Sequence, residues 1–351
     1  MSVRVLVFYV LMVLPAIAQG FAGLGGPAEG FAKPSRATVL QFPQDHGAHR
    51  PFRVEWWYLT ANLRGDDGED YGVQWTLFRV ALSPEQAPGW EDPQVWMGHA
   101  AITSKTRHLA AERFARSGVG QAGVELAPFR AWIDNWHMTG EKNPSADQLS
   151  RLAIGASGEG FSYDLTATAH GPIVLQGDAG YSVKSLDGHA SHYYSQPFYA
   201  VAGTIVLEGR RIAVTGQAWL DREWSSQPLT EDQAGWDWFS LHFDDGEMLM
   251  VYRFRDHAGD YLSGTWISAS GKPQPLAPDE LALTPLETAD VAGRRIPVRW
   301  RLQLPARRLD IETRPLNPQA WMDLSVPYWE GPIRFGGTKG GVGYLEMTGY
   351  K

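Results

Sequence analysis

The sequence contains no cysteine, so disulfide bonds, thiolate metal sites and a lipidated N-terminal cysteine are all excluded. Long apolar runs are also missing after residue 18, whereas a membrane-spanning helix needs roughly 20 apolar residues in a row. Stability must therefore come from burial alone. A chain of 351 residues can achieve this, because the buried fraction of the surface rises with chain length.

Positive charge is scarce, with 31 Lys and Arg against 39 Asp and Glu, which gives a net charge of −8 at pH 7. An acidic chain without a basic tract argues against nucleic acid as a partner. No phosphate-binding loop or dinucleotide fingerprint occurs either, so we expect no cofactor. The run Gly155–Gly160 comes nearest to a serine-nucleophile motif but has the wrong spacing.

The N-terminus has the layout of a secretory signal peptide. A short basic start, Met1–Arg4, precedes the apolar run Val5–Leu14, and small residues then mark a cleavage site near Gln19. The run is too short to span a bilayer. We predict that residues 1–19 are removed and that the mature protein is periplasmic or secreted, with no transmembrane helix.

Aromatic residues, by contrast, are abundant, with 15 Trp, 13 Tyr and 14 Phe. Such residues favour strands and also line apolar ligand sites. Asp-Gly or Glu-Gly pairs between apolar runs predict hairpins at residues 65–68, 208–209 and 244–246. Helical periodicity is scarce, and only residues 147–152 and 278–286 favour short helices.

The order of several short motifs in the first half returns in the second half. The first set is Trp57-Tyr58, Asp67-Gly68, Phe78-Arg79 and Gly98–Thr103, and the second is Trp238-Phe239, Asp245-Gly246, Phe254-Arg255 and Gly264–Ser268. This weak repeat predicts two antiparallel barrels, because closure hides the edges of such sheets. We predict an all-β protein with an N-terminal arm at residues 20–52 and domains at residues 53–228 and 229–351.

Three clusters combine acidic and aromatic side chains, and the first is Glu55–Tyr58. Alternation along a strand places Glu55 and Trp57 on one face and Trp56 and Tyr58 on the other. A carboxylate beside three aromatic rings is shielded from water. It either belongs to a ligand site or is satisfied by an Arg or a Trp N–H.

The second cluster, Gly216–Trp224, places Trp219, Asp221 and Glu223 on one face of a strand. Two carboxylates on one face repel each other, and a dry site raises the pKa of at least one of them. A carboxyl that stays neutral could donate a proton at neutral pH. The alternative is an ion-pair network with Arg222 or another Arg.

The third cluster joins Tyr193–Pro197 to Gly235–Phe243, in which Trp236, Trp238 and His242 share a face. His242 either fills the core or, with a suitable partner, serves as an acid or base. Two H-x-x-H pairs, at residues 46 and 49 and at residues 189 and 192, lie in glycine-containing loops. They lack the context of a zinc site, so we expect no metal.

Together these clusters resemble the AttH-like and carotenoid 1,2-hydratase (hydroxyneurosporene synthase) family. The resemblance runs from about residue 50 to the C-terminus through the ordered motifs Glu55–Tyr58, Gly98–Ala100, Asp134–Trp136, Tyr193–Ser195, Asp221–Trp224 and Gly343–Tyr350. It implies two tandem lipocalin-like barrels with a pocket in or between them. It also implies, for some members, water addition to a C=C bond of a polyene or terpenoid-like molecule.

The resemblance further implies that Asp221 does the acid work, beside Trp219 and with Tyr193 or Tyr194 as a phenol. The family often has His after this Asp, whereas this chain has Arg222, which cannot donate a proton at neutral pH.

Two functions fit the sequence. The first is a cofactor-free acid–base hydratase or isomerase in which Asp221, Glu223, Tyr194 and His242 are catalytic. The second is a non-catalytic periplasmic carrier or accessory protein for a lipid-like molecule, working with an ABC-type exporter; bacterial members of the family are often called predicted secreted hydrolases. In both, the apolar molecule would contact Glu55, Trp57, Tyr193, Trp219, Trp236 and Trp238.

Overall fold

The structure, a computed structural model, describes residues 24, 26, 28–142, 147–257 and 259–350. The predicted signal peptide, residues 1–19, lies outside this part of the chain. Within it, no helix is long and apolar enough to cross a bilayer. The described residues are mostly β, with short 3-10 turns at Gln44–His46, Gly89–Glu91, Pro278–Glu280 and Pro305–Arg307.

The first sheet has thirteen strands, all paired antiparallel. They are β1 (Val54–Gly65), β2 (Asp70–Ala81), β3 (Gln94–Ser104), β4 (His108–Arg116), β5 (Ala122–Leu126), β6 (Phe129–Ile133), β7 (Trp136–Gly140), β8 (Arg151–Gly158), β9 (Phe161–Ala169), β10 (Val174–Leu175), β11 (Tyr181–Val183), β12 (Ala190–Leu207) and β13 (Arg210–Ser225). Their order is β4-β3-β2-β1-β13-β12-β9-β8-β7-β6-β5, with β10 and β11 beside β12. The sheet curls so that β4 lies against β6 and β8 across its interior.

The second sheet has ten strands, again all antiparallel. They are β14 (Gln233–Phe243), β15 (Met248–Asp256), β16 (Tyr261–Ile267), β17 (Pro273–Leu276), β18 (Ala282–Val291), β19 (Arg294–Leu304), β20 (Leu309–Pro315), β21 (Trp321–Met322), β22 (Tyr328–Gly337) and β23 (Gly341–Thr348). Their order is β17-β16-β15-β14-β23-β22-β20-β19-β18, with β21 beside β22. The predicted fold class, all-β with two antiparallel barrel-like sheets, is confirmed.

The motif repeat corresponds to matching strands in the two sheets. The first set of motifs lies on β1, β2, β3 and the turn between β1 and β2, and the second set lies on β14, β15, β16 and the turn between β14 and β15. In each sheet the first strand pairs with the second and also with the last strand of that sheet, β13 or β23. The two halves therefore share a topology as well as a motif order.

The three predicted hairpins are confirmed, whereas both predicted helices are wrong. Residues 278–286 form one 3-10 turn and then β18, because Leu281 and Leu283 alternate into the core of the second sheet. Residues 147–152 form a turn in which Asp147 Oδ1 accepts the N–H of Leu149 at 2.8 Å, and β8 begins at Arg151. An Asp that bonds its own local backbone in this way favours a turn over a helix.

Three large apolar cores lie within the described part of the chain. One fills the first barrel around Trp57 and Trp75, and one fills the second around Trp300 and Trp329. The third lies between the two sheets and includes the side chains of Tyr58, Tyr193, Trp219, Trp238 and Met250. Strands β1 and β13 are therefore covered on both faces. Alternate side chains of each strand enter two different environments, the interior of the first barrel or the space between the sheets.

Candidate functional site

A cavity of about 260 Å³ lies between the two sheets. Its walls include the aromatic rings of Trp56, Tyr58, Tyr193, Trp236 and Trp238 and the carboxyl groups of Asp221, Glu223 and Glu346. An adjoining cavity of about 50 Å³ shares several of these walls and adds Lys184 and Tyr252. Apolar walls with a few converging polar groups are typical of small-molecule sites.

Asp221 is a buried carboxyl whose partners are all neutral. Its Oδ1 accepts hydrogen bonds from Ser195 Oγ at 2.5 Å and Trp219 Nε1 at 2.6 Å, and its Oδ2 accepts one from Tyr193 OH at 2.7 Å. Burial raises the pKa of Asp221 to about 7, even though these three donors act to lower it. Asp221 therefore exchanges a proton in the neutral range, inside an aromatic-lined cavity.

Glu223, two residues along β13, has a different environment. Its Oε1 lies 2.8 Å from the Nζ of Lys184, and Ser191 Oγ also donates to it. Lys184 is itself buried, with its ammonium over the rings of Tyr193 and Tyr252 at 4.7 and 4.3 Å. Burial disfavours that ammonium, but the charge of Glu223 raises the pKa of Lys184 overall. This arrangement fits the ion-pair alternative for Glu223, with a lysine in place of an arginine.

Glu330 and Glu346 lie directly opposite each other on β22 and β23. Tyr58 OH donates to Glu330 Oε1 at 2.5 Å, and Trp236 Nε1 donates to Glu346 Oε1 at 2.5 Å. Glu330 is 1 % exposed, and its second carboxyl oxygen has no hydrogen-bond partner in the described structure. Burial and the charge of Glu346 raise the pKa of Glu330 well above its usual value. Burial, with the charges of Asp221 and Glu223, raises the pKa of Glu346 to about 7.

Two predicted substrate-binding residues face the interior of the first barrel. Glu55 borders the cavity, but its carboxylate is held by Arg79 and by Arg222 Nη2, the latter at 3.1 Å. Burial alone would raise the pKa of Glu55, yet the charges of Arg79 and Arg222 hold it well below the usual range. Trp57 packs in the barrel core, with the guanidinium of Arg222 3.8 Å from the centre of its ring.

Two predicted catalytic residues also lie away from the cavity. Tyr194 points into the first barrel, where its OH is 2.6 Å from Nδ1 of His46. His242 is buried beside Trp219, and its Nε2 donates to the carbonyl oxygen of Pro197 at 2.8 Å. Burial lowers the pKa of His242 to about 4, so it is neutral at neutral pH. The structure does not bring either residue to Asp221 through a direct hydrogen bond.

The remaining candidates do converge: Tyr193, Trp219, Asp221, Glu223, Trp236 and Trp238 surround or support the cavity. Sequence reasoning missed Tyr58, Lys184, Glu330 and Glu346 as members of this site. The signal that singled out Glu55, an acidic residue in an aromatic strand, is also present at Glu330 and Glu346. These two strands are joined by the glycine-rich run at residues 336–341, which is a hairpin signal that we did not use.

Among the described residues, no three His, Asp or Glu side chains are placed so as to hold a metal ion. The candidate site is thus an aromatic cavity with carboxyl groups, between two lipocalin-like barrels.

Comparison with known proteins identifies the family of the chain. A sequence profile of the AttH-like family matches residues 33–350, and the chain belongs to that family. The crystal structure named as an AttH protein from Nitrosomonas europaea is similar, with 32% identity and a TM-score of 0.80 over 92% of this chain and 100% of that one. Kievitone hydratase from Nectria haematococca has the same fold, with 18% identity and a TM-score of 0.68 over 91% of this chain and 98% of that one. No curated protein sequence matches.

Proposed function

We propose that this protein binds an apolar small molecule in the cavity between its sheets and adds water to one of its C=C bonds without a cofactor. The observation that carries the proposal is Asp221. This residue is a carboxyl with a pKa of about 7, only neutral hydrogen-bond partners and a place in an aromatic wall. Membership of the AttH-like family and the fold shared with a hydratase support it.

Protonated Asp221 would transfer its proton to one alkene carbon. The π electron pair forms the new C–H bond and leaves a cation on the neighbouring carbon. Ser195, Tyr193 and Trp219 already point their donors at the carboxyl. They therefore stabilise the negative charge that develops on Asp221 as the proton leaves. Water then forms the C–O bond and releases a proton.

The aromatic walls suit the cationic intermediate. The rings of Tyr58 and Trp238 meet edge to face with centres 5.3 Å apart, and both line the cavity. A cation over such a ring gains up to about 2 kcal/mol when it is shielded from water. Because Glu223 is matched by Lys184, that carboxylate contributes little net charge to the same wall.

The size of the cavity limits the ligand. At about 260 Å³ it is close to the lower end of the range for small-molecule sites, roughly 300–1,000 Å³. It therefore suits a short isoprenoid, or one end of a longer polyene, rather than an entire long chain.

To test the proposed hydration, the protein is incubated separately with geraniol, squalene and a prenylated phenol, in ¹⁸O-labelled water and in D₂O. We expect ¹⁸O in an alcohol product, and deuterium in recovered alkene if protonation is reversible. Asp221→Asn should lower the rate about 10²- to 10⁴-fold, the usual contribution of a positioned acid. Glu159→Gln, on an exposed loop, is the matched control and should not change the rate.

An unchanged rate in Asp221→Asn would remove Asp221 from the mechanism. Saturable binding of these compounds without ¹⁸O or deuterium incorporation would instead favour the carrier function, and a membrane exporter would then be the partner to seek.

We also propose that the protein is exported. The basic start, apolar run and small residues of Met1–Ala18 support this. N-terminal sequencing of protein from the periplasmic fraction should begin near Gln19, whereas full-length protein retained in the cytoplasm would contradict it.

A further inference from the structure

The wall of the cavity opposite Asp221 contains a second acidic feature. Asp221 belongs to the first sheet, whereas Glu330 and Glu346 belong to the second. The two glutamates are register partners on neighbouring antiparallel strands, so their Cβ atoms are about 4.5–5.5 Å apart. Their carboxyl groups therefore share one small space, and only Glu346 lines the cavity directly.

No cation in the described part of the chain pairs with either carboxyl. The ion pairs within 4.0 Å involve other acidic residues, and the close partners of the pair are Tyr58 and Trp236, both neutral donors. Two buried carboxylates this close cannot both ionise without a large electrostatic penalty. One oxygen of Glu330 also lacks a partner, as expected if a proton can occupy it.

We propose that Glu330 and Glu346 act as one proton-sharing pair, and that Glu346 accepts the proton released by the water that adds to the substrate. The second half of this statement rests on the proposed hydration. The first half concerns the pair alone and does not depend on any substrate.

The proton balance of the reaction requires such an acceptor. Asp221 loses one proton to the alkene carbon, and the added water must lose one after its oxygen bonds to the neighbouring carbon. A pair that begins with one proton ends with two, while Asp221 ends ionised. The return of one proton to Asp221 restores the starting state, so the net reaction is alkene plus water to alcohol.

The surroundings of the pair set its titration. The groups that face the pair are Tyr58 from β1, Tyr163 from β9, Asp221 and Glu223 from β13, Trp236 from β14, Tyr328 from β22 and Tyr344 from β23. These groups are neutral or acidic, so none of them favours ionisation by charge. Burial, together with the charges of Asp221 and Glu223, raises the pKa of Glu346 to about 7, which leaves it able to accept a proton at neutral pH.

The first experiment needs no substrate. Infrared titration of ¹³C-glutamate-labelled protein between pH 5 and 10 follows the carbonyl band of protonated carboxyl groups. We expect two coupled steps in the wild type. Glu330→Gln and Glu346→Gln should each leave one step, at a midpoint at least one pH unit below the upper wild-type step, because the like charge is gone. Glu159→Gln should change nothing.

If the remaining step keeps its wild-type midpoint in both variants, or if neither glutamate is protonated at pH 7, the shared proton is refuted. Each glutamine has the shape of a protonated glutamate, and either variant alone is sufficient for the comparison if the other does not fold.

The second experiment measures hydration of whichever alkene of the panel is turned over. Glu346→Gln should lower kcat about 10²-fold with little change in KM, and it should abolish the fall in rate at acidic pH that reflects loss of the base. An unchanged kcat and acidic limb would overturn the catalytic role of Glu346. Absence of wild-type turnover would instead overturn the hydration itself, while the infrared titration would still decide whether the pair shares a proton.

Discussion

Two buried carboxyl groups, Glu55 in the first barrel and Asp221 between the sheets, lie in equally aromatic surroundings and behave in opposite ways. Glu55 is 0 % exposed and Asp221 is 3 % exposed. Arg79 and Arg222 contact Glu55, whereas only a phenol, a hydroxyl and an indole contact Asp221. Burial therefore does not by itself make a carboxyl a proton donor. The presence or absence of a neighbouring cation decides it.

This difference follows from the alternation of one strand. Within β13, Asp221 faces the cavity while the next residue, Arg222, turns into the barrel and pairs with Glu55. A cation at position 222 is thus separated from the carboxyl at 221 by the strand itself. Arg222 therefore contacts Glu55 inside the barrel and does not face the cavity.

The largest effect on stability should come from removing the cation beside Glu55. Arg79→Met leaves the buried carboxylate of Glu55 with Arg222 and His49 as its partners, and breaking such a pair costs about 3–5 kcal/mol. Urea unfolding at pH 7 measures the loss. Arg301→Met, which breaks an exposed pair with Asp310, is the control and should leave the unfolding midpoint unchanged. Equal midpoints for the two variants would show that Glu55 is not held as an ion.

The next effect concerns the pH dependence of stability. The pKa of Asp221 in the folded protein, about 7, lies above the ordinary Asp value of 3.8. Its contribution is therefore complete below pH 3.8 and is lost as pH rises through 7. The difference in unfolding free energy between the wild type and Asp221→Asn should fall by about 1 kcal/mol per pH unit between pH 5 and 6.5.

Glu55→Gln should show the opposite sign. The pKa of Glu55 is lowered on folding, so its contribution is present at neutral pH and lost in acid. If the difference in unfolding free energy from the wild type changed with pH in the same direction for Asp221→Asn and Glu55→Gln, the contrast between the two carboxyl groups would be contradicted.

The smallest predicted effect is a difference in hydration rate between variants of two adjacent tyrosines, Tyr193 and Tyr194. Tyr193 donates to Asp221, whereas Tyr194 bonds to His46 inside the first barrel. Tyr193→Phe should slow hydration about tenfold, since a hydrogen bond of this kind is worth about 0.5–1.5 kcal/mol. Tyr194→Phe should lose similar stability but keep its rate. Initial rates for both variants on one alkene test this, and a slower Tyr194→Phe would restore that residue to the site.

From the sequence we predicted the strand content, the hairpins, the repeat and the faces of residues 55–58 in β1 and residues 219–224 in β13. Period-two alternation and Asp-Gly turns are local properties, so one chain segment is enough to read them. The predicted convergence of Tyr193, Trp219 and Asp221 followed from the family resemblance and from alternation within β12 and β13.

Contacts that depend on strand register, or on the packing of one sheet against the other, could not be predicted. The pairing of Glu330 with Glu346 requires the register of β22 against β23, and the contact of Tyr58 with Glu330 joins residues 272 positions apart. Lys184 could not be assigned to Glu223 for the same reason, because β11 is short and the pair forms across a loop. His242 and Tyr194 were plausible acids from residue type alone, and only their packing places them elsewhere.

The measurement that bears most directly on the central claim is a ¹³C NMR titration of the side-chain carboxyl carbons of Asp221 and Glu55, assigned with Asp221→Asn and Glu55→Gln. We predict a midpoint near pH 7 for Asp221 and an ionised Glu55 throughout the range in which the protein is folded. An Asp221 midpoint near pH 4 would contradict it, because the cavity would then contain no protonated Asp221 at neutral pH.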